Sequence, residues 1–362
     1  PIVYGVAPEG TRDFPPNPAL LASGPELNEF GAFVGSPSSV GAFVQDLKIP
    51  MSYDFLGGIQ YEVVPNFMFH ASYHYKRTTN ELYDLNVNRF AGDLEDDNLD
   101  RLNPNFQNMT ITTNLGERRY HGLVTGINKR MSQGWQLAAS YTYNRGTNNF
   151  AFVGGGGEYN SSATEVFNPD LDWGRDDIAH VFSLHNVWEL PILRGRSGLL
   201  AGAFGGWHLN TVWNLQSGPF FVPVSYSPFG FGGDFNADGE SGERPDRPAG
   251  DIPGSFSKEQ WLAGALDPDI FPRPDTIRPG NMPRDLIRAP GYVRIDVAFA
   301  KSFPIPIGRA EKGEFQFRAE AFNILNRVNL TGLDSNIDSA SFARAFGTYR
   351  MRIVQLSLKF VF

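Results

Sequence analysis

The sequence has no cysteine, no long apolar run and no cluster of basic residues. Without cysteine there can be no disulfide bonds, cysteine zinc sites, iron–sulfur clusters or thiol catalysis. A membrane-spanning helix needs roughly 18 or more apolar residues in a row, and the most apolar stretch, 199–207, is about half that length and rich in glycine. The net charge of −8 and the lack of a Lys/Arg cluster argue against nucleic acid as the main partner.

The composition is instead rich in aromatic residues and in turn-forming residues. Aromatics make up 14% of the chain, with 30 Phe and 13 Tyr, and there are 39 Gly and 26 Pro. Charged residues are only 19%. This profile excludes a coiled coil and charge-driven disorder. No signal peptide is visible and the first residue is Pro1, so we expect the chain to be a piece of a larger protein.

Strict alternation of apolar and polar residues is the dominant local pattern. It runs through 67–76 and 135–144, and recurs in 293–299, 315–321 and 354–362. A period of two places each set of side chains on one face of a β-strand. We therefore predict strands that are apolar on one face and polar on the other.

The lengths of the links between these strands also alternate. We predict strands at about 52–64, 66–83, 117–131, 134–149, 179–190, 199–216, 291–304, 314–330 and 349–362. Short links follow the first, third, fifth and seventh strands, and long links, at about 84–116, 150–178, 217–290 and 331–348, follow the others. Short turns on one side and long loops on the other are typical of a transmembrane β-barrel. The alternative is a large soluble β-sandwich, which has little reason to sort its loops in this way.

The fold class is thus all-β, an antiparallel transmembrane β-barrel portion of about nine or ten strands. We assign residues 1–50 to an irregular lead-in segment, with a short strand near 40–46, and residues 51–362 to the C-terminal part of the barrel. Bacterial single-chain barrels have even strand numbers, so nine strands favour further strands upstream.

The run RAEAFNILN at 318–326 and several further short motifs stand in an order that resembles TonB-dependent outer-membrane receptors, in particular the Oar-like branch that carries a carboxypeptidase-regulatory-like domain. RAEAFNILN is similar to the penultimate-strand motif of that family. Other similar pieces follow the same order: 176–182, 189–191, 206–210, 215–220, 244–246, 291–297 and Phe362. The resemblance covers about residues 45–362.

The resemblance implies a 22-stranded barrel with an N-terminal plug, of which this chain would be the C-terminal part. It further implies outer-membrane lipid as the surroundings, an extracellular ligand bound by the long loops, and import driven by a TonB complex acting on the plug. One alternative is a surface scaffold or adhesion protein anchored by the barrel. A second is a soluble secreted β-sandwich, for instance a carbohydrate-active one.

Two sets of strand residues carry specific expectations. Polar residues that alternate with apolar ones would face a polar lumen: Gln136, Ser140, Thr142, Gln316, Arg318 and Glu320. The last strand ends in an aromatic residue preceded by alternate apolar residues: Leu356, Leu358, Phe360 and Phe362. Such an ending resembles the signal read by the barrel-assembly machinery, and an open strand edge can pair with another sheet. The plain alternative, which can hold together with it, is that these side chains face lipid.

One loop segment has the spacing of a cation site. Asp234, Asn236, Asp238 and Glu240 lie in a D-x-[DN]-x-[DN]-G pattern, which places oxygen ligands as Ca²⁺ requires. The acidic residue expected at the end of such a loop is replaced by Pro245. That departure favours a turn rich in Asp and Asn over a metal site.

No catalytic constellation is visible. There is no GxSxG elbow and no HExxH, and the acidic run at 95–97 lies in a polar loop. We therefore expect no enzyme activity, and no cofactor apart from the candidate Ca²⁺ in a surface loop.

Overall fold

A computed structural model of the chain describes residues 38–86, 88, 103, 106–149, 151–152, 159–160, 173–226, 233, 235, 242–275, 280–307 and 311–361. The strands are β1 (Ser38–Phe43), β2 (Met51–Val64), β3 (Phe67–Asn86), β4 (Phe106–Ser132), β5 (Trp135–Asn148), β6 (Ala151–Phe152), β7 (Tyr159–Asn160), β8 (Gly174–Arg175), β9 (His180–Glu189), β10 (Trp207–Gln216), β11 (Phe220–Phe221), β12 (Ile287–Arg288), β13 (Tyr292–Ile307), β14 (Glu311–Phe322), β15 (Leu330–Leu333), β16 (Ala345–Thr348) and β17 (Ile353–Val361). The helices are α1 (Leu199–Phe204) and α2 (Lys258–Ala263), with a 3₁₀ turn at Pro268–Ile270. Among these residues no helix is long and apolar enough to cross a membrane.

One sheet dominates the fold. Nine strands form an antiparallel meander in the order β17-β14-β13-β10-β9-β5-β4-β3-β2, and β1 and β8 join its margins. Each predicted strand corresponds to one of the nine, and β1, near the short strand predicted at 40–46, adds parallel to β4. Within the described residues, β2 and β17 are the two edges of the meander.

Three predicted boundaries are wrong. The strand predicted at 117–131 begins already at Phe106, because the β3–β4 hairpin continues into the link predicted at 84–116. The strand predicted at 199–216 starts only at Trp207, because Leu199–Phe204 forms α1. Its Leu-Leu-Ala-Gly-Ala-Phe sequence has no β-branched residue, and Leu and Ala favour a helix. The strand predicted at 314–330 ends at Phe322, where Asn323 and Asn326 adopt left-handed φ angles of 52° and 49° and turn the chain.

The register assigns every strand residue to one of two faces. Phe317 of β14, for example, lies opposite Leu358 of β17 and Lys301 of β13, and cross-strand partners share a face. Followed across all nine strands, these pairs define an apolar face that includes Phe55, Ile59, Phe69, Tyr73, Ile127, Leu137, Tyr141, Leu184, Leu209, Ile295, Phe299, Phe317 and Leu358. The opposite, polar face includes Asp54, Gln60, His70, Asn128, Gln136, Ser140, Ser183, Asn210, Arg294, Gln316, Arg318 and Lys359.

No second sheet covers the apolar face within the described residues. Ile59 of β2 is 67% exposed and Leu358 of β17 is 68% exposed. An apolar surface of this extent on a soluble protein would be unusual. The arrangement is that of a single-layer sheet and contradicts the β-sandwich alternative.

The short links lie at one end of the sheet. Pro65–Asn66 joins β2 to β3, and Gln133–Gly134 joins β4 to β5. Asn66, Gln133 and Gly134 have φ angles of 68°, 53° and 74°, the left-handed values that tight hairpin turns require. The link between β9 and β10, which contains α1, is longer than predicted.

Two lysines on the apolar face lie close to this end. Lys301 donates to the carbonyl oxygens of Gly202, Ala203 and Gly205 at the end of α1. Lys129 in the same way donates to the Ser132 and Trp135 carbonyl oxygens, at 3.0 and 2.7 Å. Each ammonium group is therefore satisfied by backbone oxygens of the adjacent link.

Candidate functional site

The described residues of the long links 217–291 and 323–352 fold together at the opposite end of the sheet into a unit that we call the cap. It has its own apolar core, formed by Phe221, Trp261, Leu266, Phe271, Met282, Ile287, Leu330, Ile337, Phe342 and Ala343. Trp261 is fully buried, and its ring centroid lies 5.2 Å from that of Phe221 and 5.6 Å from that of Phe256. Burial of each large apolar side chain contributes about 1.5–3 kcal/mol, so the cap is stabilised by its own packing.

Helix α2 positions Trp261 in this core. Ser257 caps the helix: its hydroxyl oxygen accepts from Gln260 N at 3.2 Å, while Gln260 Oε1 accepts from Ser257 N at 2.7 Å. This reciprocal pair satisfies two backbone donors at the start of the helix. The short helix is thereby fixed with one aromatic side chain turned inward.

Polar contacts join the two long links of the cap. Ile337 N donates to the Val224 carbonyl oxygen at 2.9 Å. Ser225 Oγ donates to Asp338 Oδ2 at 2.6 Å, and Arg273 pairs with the other carboxylate oxygen of Asp338. The two links therefore form one structural unit.

A buried carboxylate attaches the cap to the segment that precedes β9. Asp177 Oδ1 accepts from Arg175 Nε at 2.8 Å, and Oδ2 accepts from Arg288 Nη2 at 3.2 Å. Burial raises the pKa of the Asp177 carboxyl, but the hydrogen bonds and charges of Arg175 and Arg288 outweigh this, so the pKa lies below its usual range. The Arg288 guanidinium also lies 3.9 Å from the centroid of the Phe220 ring.

A second attachment reaches the end of β5. Arg284 Nη2 donates at 2.8 Å to both the carbonyl oxygen and Oδ1 of Asn148, and both residues are buried. The cap is thus tied to β5 and β9 as well as to the strands that carry its own links.

A cavity of about 380 Å³ lies at the base of the cap. Phe256, Lys258, Glu259, Gly291 and Arg327 are among the residues that line it. The Glu259 pKa lies below its usual range, chiefly because its carboxylate is hydrogen-bonded to its own backbone at the start of α2. Charges of both signs next to Phe256 suit a small ligand that has polar groups and an apolar part.

The predicted cation site cannot be placed. Asp234, Asn236, Asp238 and Glu240 lie outside the described residues. Their described neighbour Phe235 is buried, and its N–H donates to Glu243 Oε2 at 2.7 Å. Among the described residues no cluster of three or more His, Asp or Glu could hold a metal ion. Ca²⁺ binding stays a prediction.

The six polar residues predicted to face a lumen share the polar face. Gln136 and Ser140 of β5 lie opposite Val187 and Ser183 of β9, and the register continues through β10 and β13 to β14. Thr142, Gln316, Arg318 and Glu320 belong to the same face. Arg318 Nε donates to Glu320 Oε1 at 2.8 Å. That this face lines a lumen stays a prediction.

Leu356, Leu358 and Phe360 of β17 share the apolar face, and Phe362 lies outside the described residues. The second edge of β17 has no partner among the described strands. This geometry fits both lipid contact and pairing with another strand, so recognition by the assembly machinery stays a prediction.

The cap core and its attachments are absent from the expectations drawn from sequence. Its core residues are spread over 221–343 without a fixed period, so no local sequence pattern predicts them. The available signal was the presence of Trp261, Phe271 and Phe342 in links that otherwise have a loop composition.

A family model described as an outer membrane beta barrel domain matches residues 6–355. A search of curated proteins gives no match. Among solved structures, the outer membrane transporter YddB from Escherichia coli is similar, with 11% sequence identity and a TM-score of 0.47. The match covers 90% of this chain but 34% of that chain, so this chain spans about a third of its length. The match of the family model to almost the whole chain, together with the antiparallel sheet that has one apolar face, shows that this is an outer-membrane protein and that the chain belongs to the outer membrane beta barrel domain family.

Proposed function

We propose that this chain is the C-terminal part of an outer-membrane receptor that binds an extracellular ligand at the cap and imports it in a TonB-dependent manner. The resemblance of its motifs to the Oar-like branch supplies the expectation of a plug and of a TonB complex as partners. Binding is expected to need no enzyme chemistry.

The observation that carries the proposal is the cap itself. It is a folded unit with its own core, seated at the loop end of the sheet, with a charged cavity at its base. A rigid surface loop unit of this kind presents fixed side chains to a ligand, which lowers the entropy cost of binding. The polar face of the sheet would give a bound ligand a hydrated path.

The ligand class is open among sugars, peptides and metal chelates, so the test uses one probe of each. A strain lacking the gene would carry the full-length protein or a variant and receive a ⁵⁵Fe-loaded chelate, a labelled oligosaccharide or a labelled peptide. We expect gene-dependent accumulation of one probe, abolished by a protonophore because TonB complexes use the proton gradient. If the protonophore leaves the accumulation of the probe unchanged, the result contradicts TonB dependence.

Arg327 at the cavity provides the matching variant. We expect Arg327→Gln to lower uptake of the accepted probe about tenfold, the effect of one lost charge-assisted hydrogen bond. Arg247→Gln changes an exposed cap arginine outside the cavity and should leave uptake unchanged. If both variants behave as wild type, the cavity is not the binding site.

The alternative is a surface scaffold or adhesion protein that keeps the barrel as an anchor. It would give gene-dependent binding of cells to a surface or to other cells without accumulation of any probe. That outcome would replace the transport proposal.

A further inference from the structure

A group of arginines lies on the apolar face, at the end nearest the cap. Arg77 of β3 and Arg119 of β4 are direct cross-strand partners, and Arg145 of β5 lies opposite His121 of β4. In each strand the apolar face continues away from the cap with an aromatic ring, such as Tyr75 or Tyr143. We call Arg77, Arg119 and Arg145 the arginine group.

Tyrosine and histidine rings lie level with Arg145 and directly below Arg77 and Arg119. Tyr73 Oη lies 2.6 Å from His121 Nδ1, and Tyr141 Oη lies 2.7 Å from His180 Nδ1. Hydrogen-bonded aromatic side chains of this kind are enriched at the interface between membrane and water. The arginine group therefore sits at the boundary of the outer leaflet, on the side that lipid molecules contact.

The group has an excess of positive charge. Arg77 Nε and Arg119 Nε both donate to Glu117 Oε1, each at 2.8 Å. One carboxylate thus serves two guanidinium groups, while the side chain of Arg145, a residue paired in the β4–β5 ladder, forms no ion pair with a described residue. The Arg77 and Arg119 side chains remain 43% and 46% exposed, so each keeps donors that are open to a ligand.

One member of the group is held in place. The Arg119 guanidinium lies 4.6 Å from the centroid of the Trp173 ring, a cation–π contact that restricts its orientation. The bridging carboxylate of Glu117 restricts Arg77 and Arg119 further. The guanidinium groups are therefore already ordered before an anion binds, so binding costs little side-chain entropy.

We infer that the arginine group binds the phosphate groups of a phosphorylated lipid of the outer leaflet. Guanidinium groups match phosphate oxygens with paired hydrogen bonds, and their hydration is weaker than that of lysine. Arginine on a lipid-facing strand is costly at the bilayer centre and tolerated near the interface, where an anionic headgroup compensates its charge. The apolar side chains below the group would contact the acyl chains of the same lipid.

The test measures phosphorylated lipid that stays with the protein. The full-length protein would be extracted from outer membranes, washed in detergent and examined by native mass spectrometry after addition of purified lipid A. We expect the double variant Arg77→Gln/Arg119→Gln to lose about a hundredfold in lipid A affinity, about tenfold for each arginine. Arg77→Lys/Arg119→Lys keeps the charge without the paired geometry and should lie between this variant and wild type.

Arg118→Gln is the matched control, because Arg118 is the chain neighbour of Arg119 and points to the polar face. It should bind lipid A as wild type does. Heat-dependent mobility of the folded protein in electrophoresis would confirm that each variant is folded. The inference is overturned if Arg118→Gln loses as much affinity as the double variant, or if the folded double variant binds like wild type.

The source of the phosphate is tested in the same way. Lipid A without phosphate should bind the wild-type protein as weakly as phosphorylated lipid A binds the double variant. Millimolar inorganic phosphate should not displace bound lipid A, because it gains nothing from the apolar surface below the arginines. Displacement by inorganic phosphate would show an anion site without lipid specificity and would overturn the inference.

Discussion

At the scale of single residues, Asp177 joins parts of the chain that are far apart in sequence. One carboxylate accepts from Arg175, two residues earlier in the chain, and from Arg288, which belongs to the cap. Only 3% of the Asp177 side chain is exposed. Removal of one partner from such a buried ion pair leaves the others without compensation.

We therefore expect Asp177→Asn to destabilise the attachment of the cap by about 3–5 kcal/mol. Limited proteolysis of the folded protein would show this as faster cleavage between 217 and 291. Asp251→Asn, which changes an exposed aspartate of the cap, is the control and should leave the cleavage rate unchanged. Equal rates for both variants would contradict the role of Asp177.

The same carboxylate predicts a pH dependence. Its folded-state pKa is lowered, so its contribution is complete above the unfolded value of about 3.9 and is lost as the pH falls through the folded value. Protease resistance of the wild-type cap, measured with an acid-active protease, should therefore hold at pH 5 and fall below about pH 3.9. The fall should be smaller for Asp177→Asn, which has no proton to take up.

At the scale of the elements, α1 is a short helix with its apolar residues turned outward. Leu199 is 95% exposed and Phe204 is 59% exposed, while Lys301 holds the end of the helix against the apolar face. Helix α1 lies at the turn end of the sheet, which in a transmembrane barrel is expected on the periplasmic side. We predict that its leucines and phenylalanine contact lipid, since exposure of such side chains to water is unfavourable.

The chain has no cysteine, so a single spin label can test this position. The spin relaxation of a label on Leu199→Cys should be accelerated by dissolved oxygen and should be unaffected by a water-soluble nickel chelate. A label on Asp251→Cys in the cap should behave in the opposite way. Protection of neither position would place α1 in water and refute its contact with lipid.

The same method tests the two faces of β5. Ser140 and Tyr141 are adjacent in sequence and lie on the polar and apolar faces. We expect a label at Ser140→Cys to respond to the nickel chelate and one at Tyr141→Cys to respond to oxygen. A reversed result would refute the lumen that the alternation in sequence predicts.

Much of the sheet could be predicted because a strand with one apolar face requires a regular alternation of apolar and polar residues in the sequence. Residues 135–144 alternate with a single exception, Ala138, and the corresponding strand is Trp135–Asn148. Helix α1 has no comparable pattern, since six residues are too few to show a helical period. The cap core was not predictable, because Phe221 and Phe342 meet only through the fold of the whole cap. The predicted cation ligands, Asp234 among them, are outside the described residues and remain to be tested.

At the scale of the whole molecule, the cap is a cooperative unit that spans two strand hairpins. Its core joins residues that follow β10 to residues that follow β14. Such a unit unfolds cooperatively, so a substitution at one position lowers the free energy of unfolding of the whole cap. The packing of Trp261 against Phe221 and Phe256 lies in this shared core.

Trp261→Ala should therefore cost about 3–5 kcal/mol by creating a cavity, and Trp261→Phe should cost less. Hydrogen exchange would show faster exchange at Ile287 and at Ala343 together in the alanine variant, although these residues belong to different links. Faster exchange in one link alone would show that the two links unfold independently.

The attachments of the cap also determine where the sheet can bend. Contacts through Asn148, Asp177 and the cap core attach the loop ends of six strands to the cap: β5, β9, β10, β13, β14 and β17. Because the cap joins these strands to each other, they cannot move apart at their loop ends. Any deformation of the sheet must therefore occur in the strands that are not attached to the cap. We expect β2, β3 and β4, which carry none of these attachments, to deform most when the diameter of the assembled barrel wall changes. In mechanical terms the molecule would have a stiff arc and a yielding arc, and the boundary between them would lie between β4 and β5.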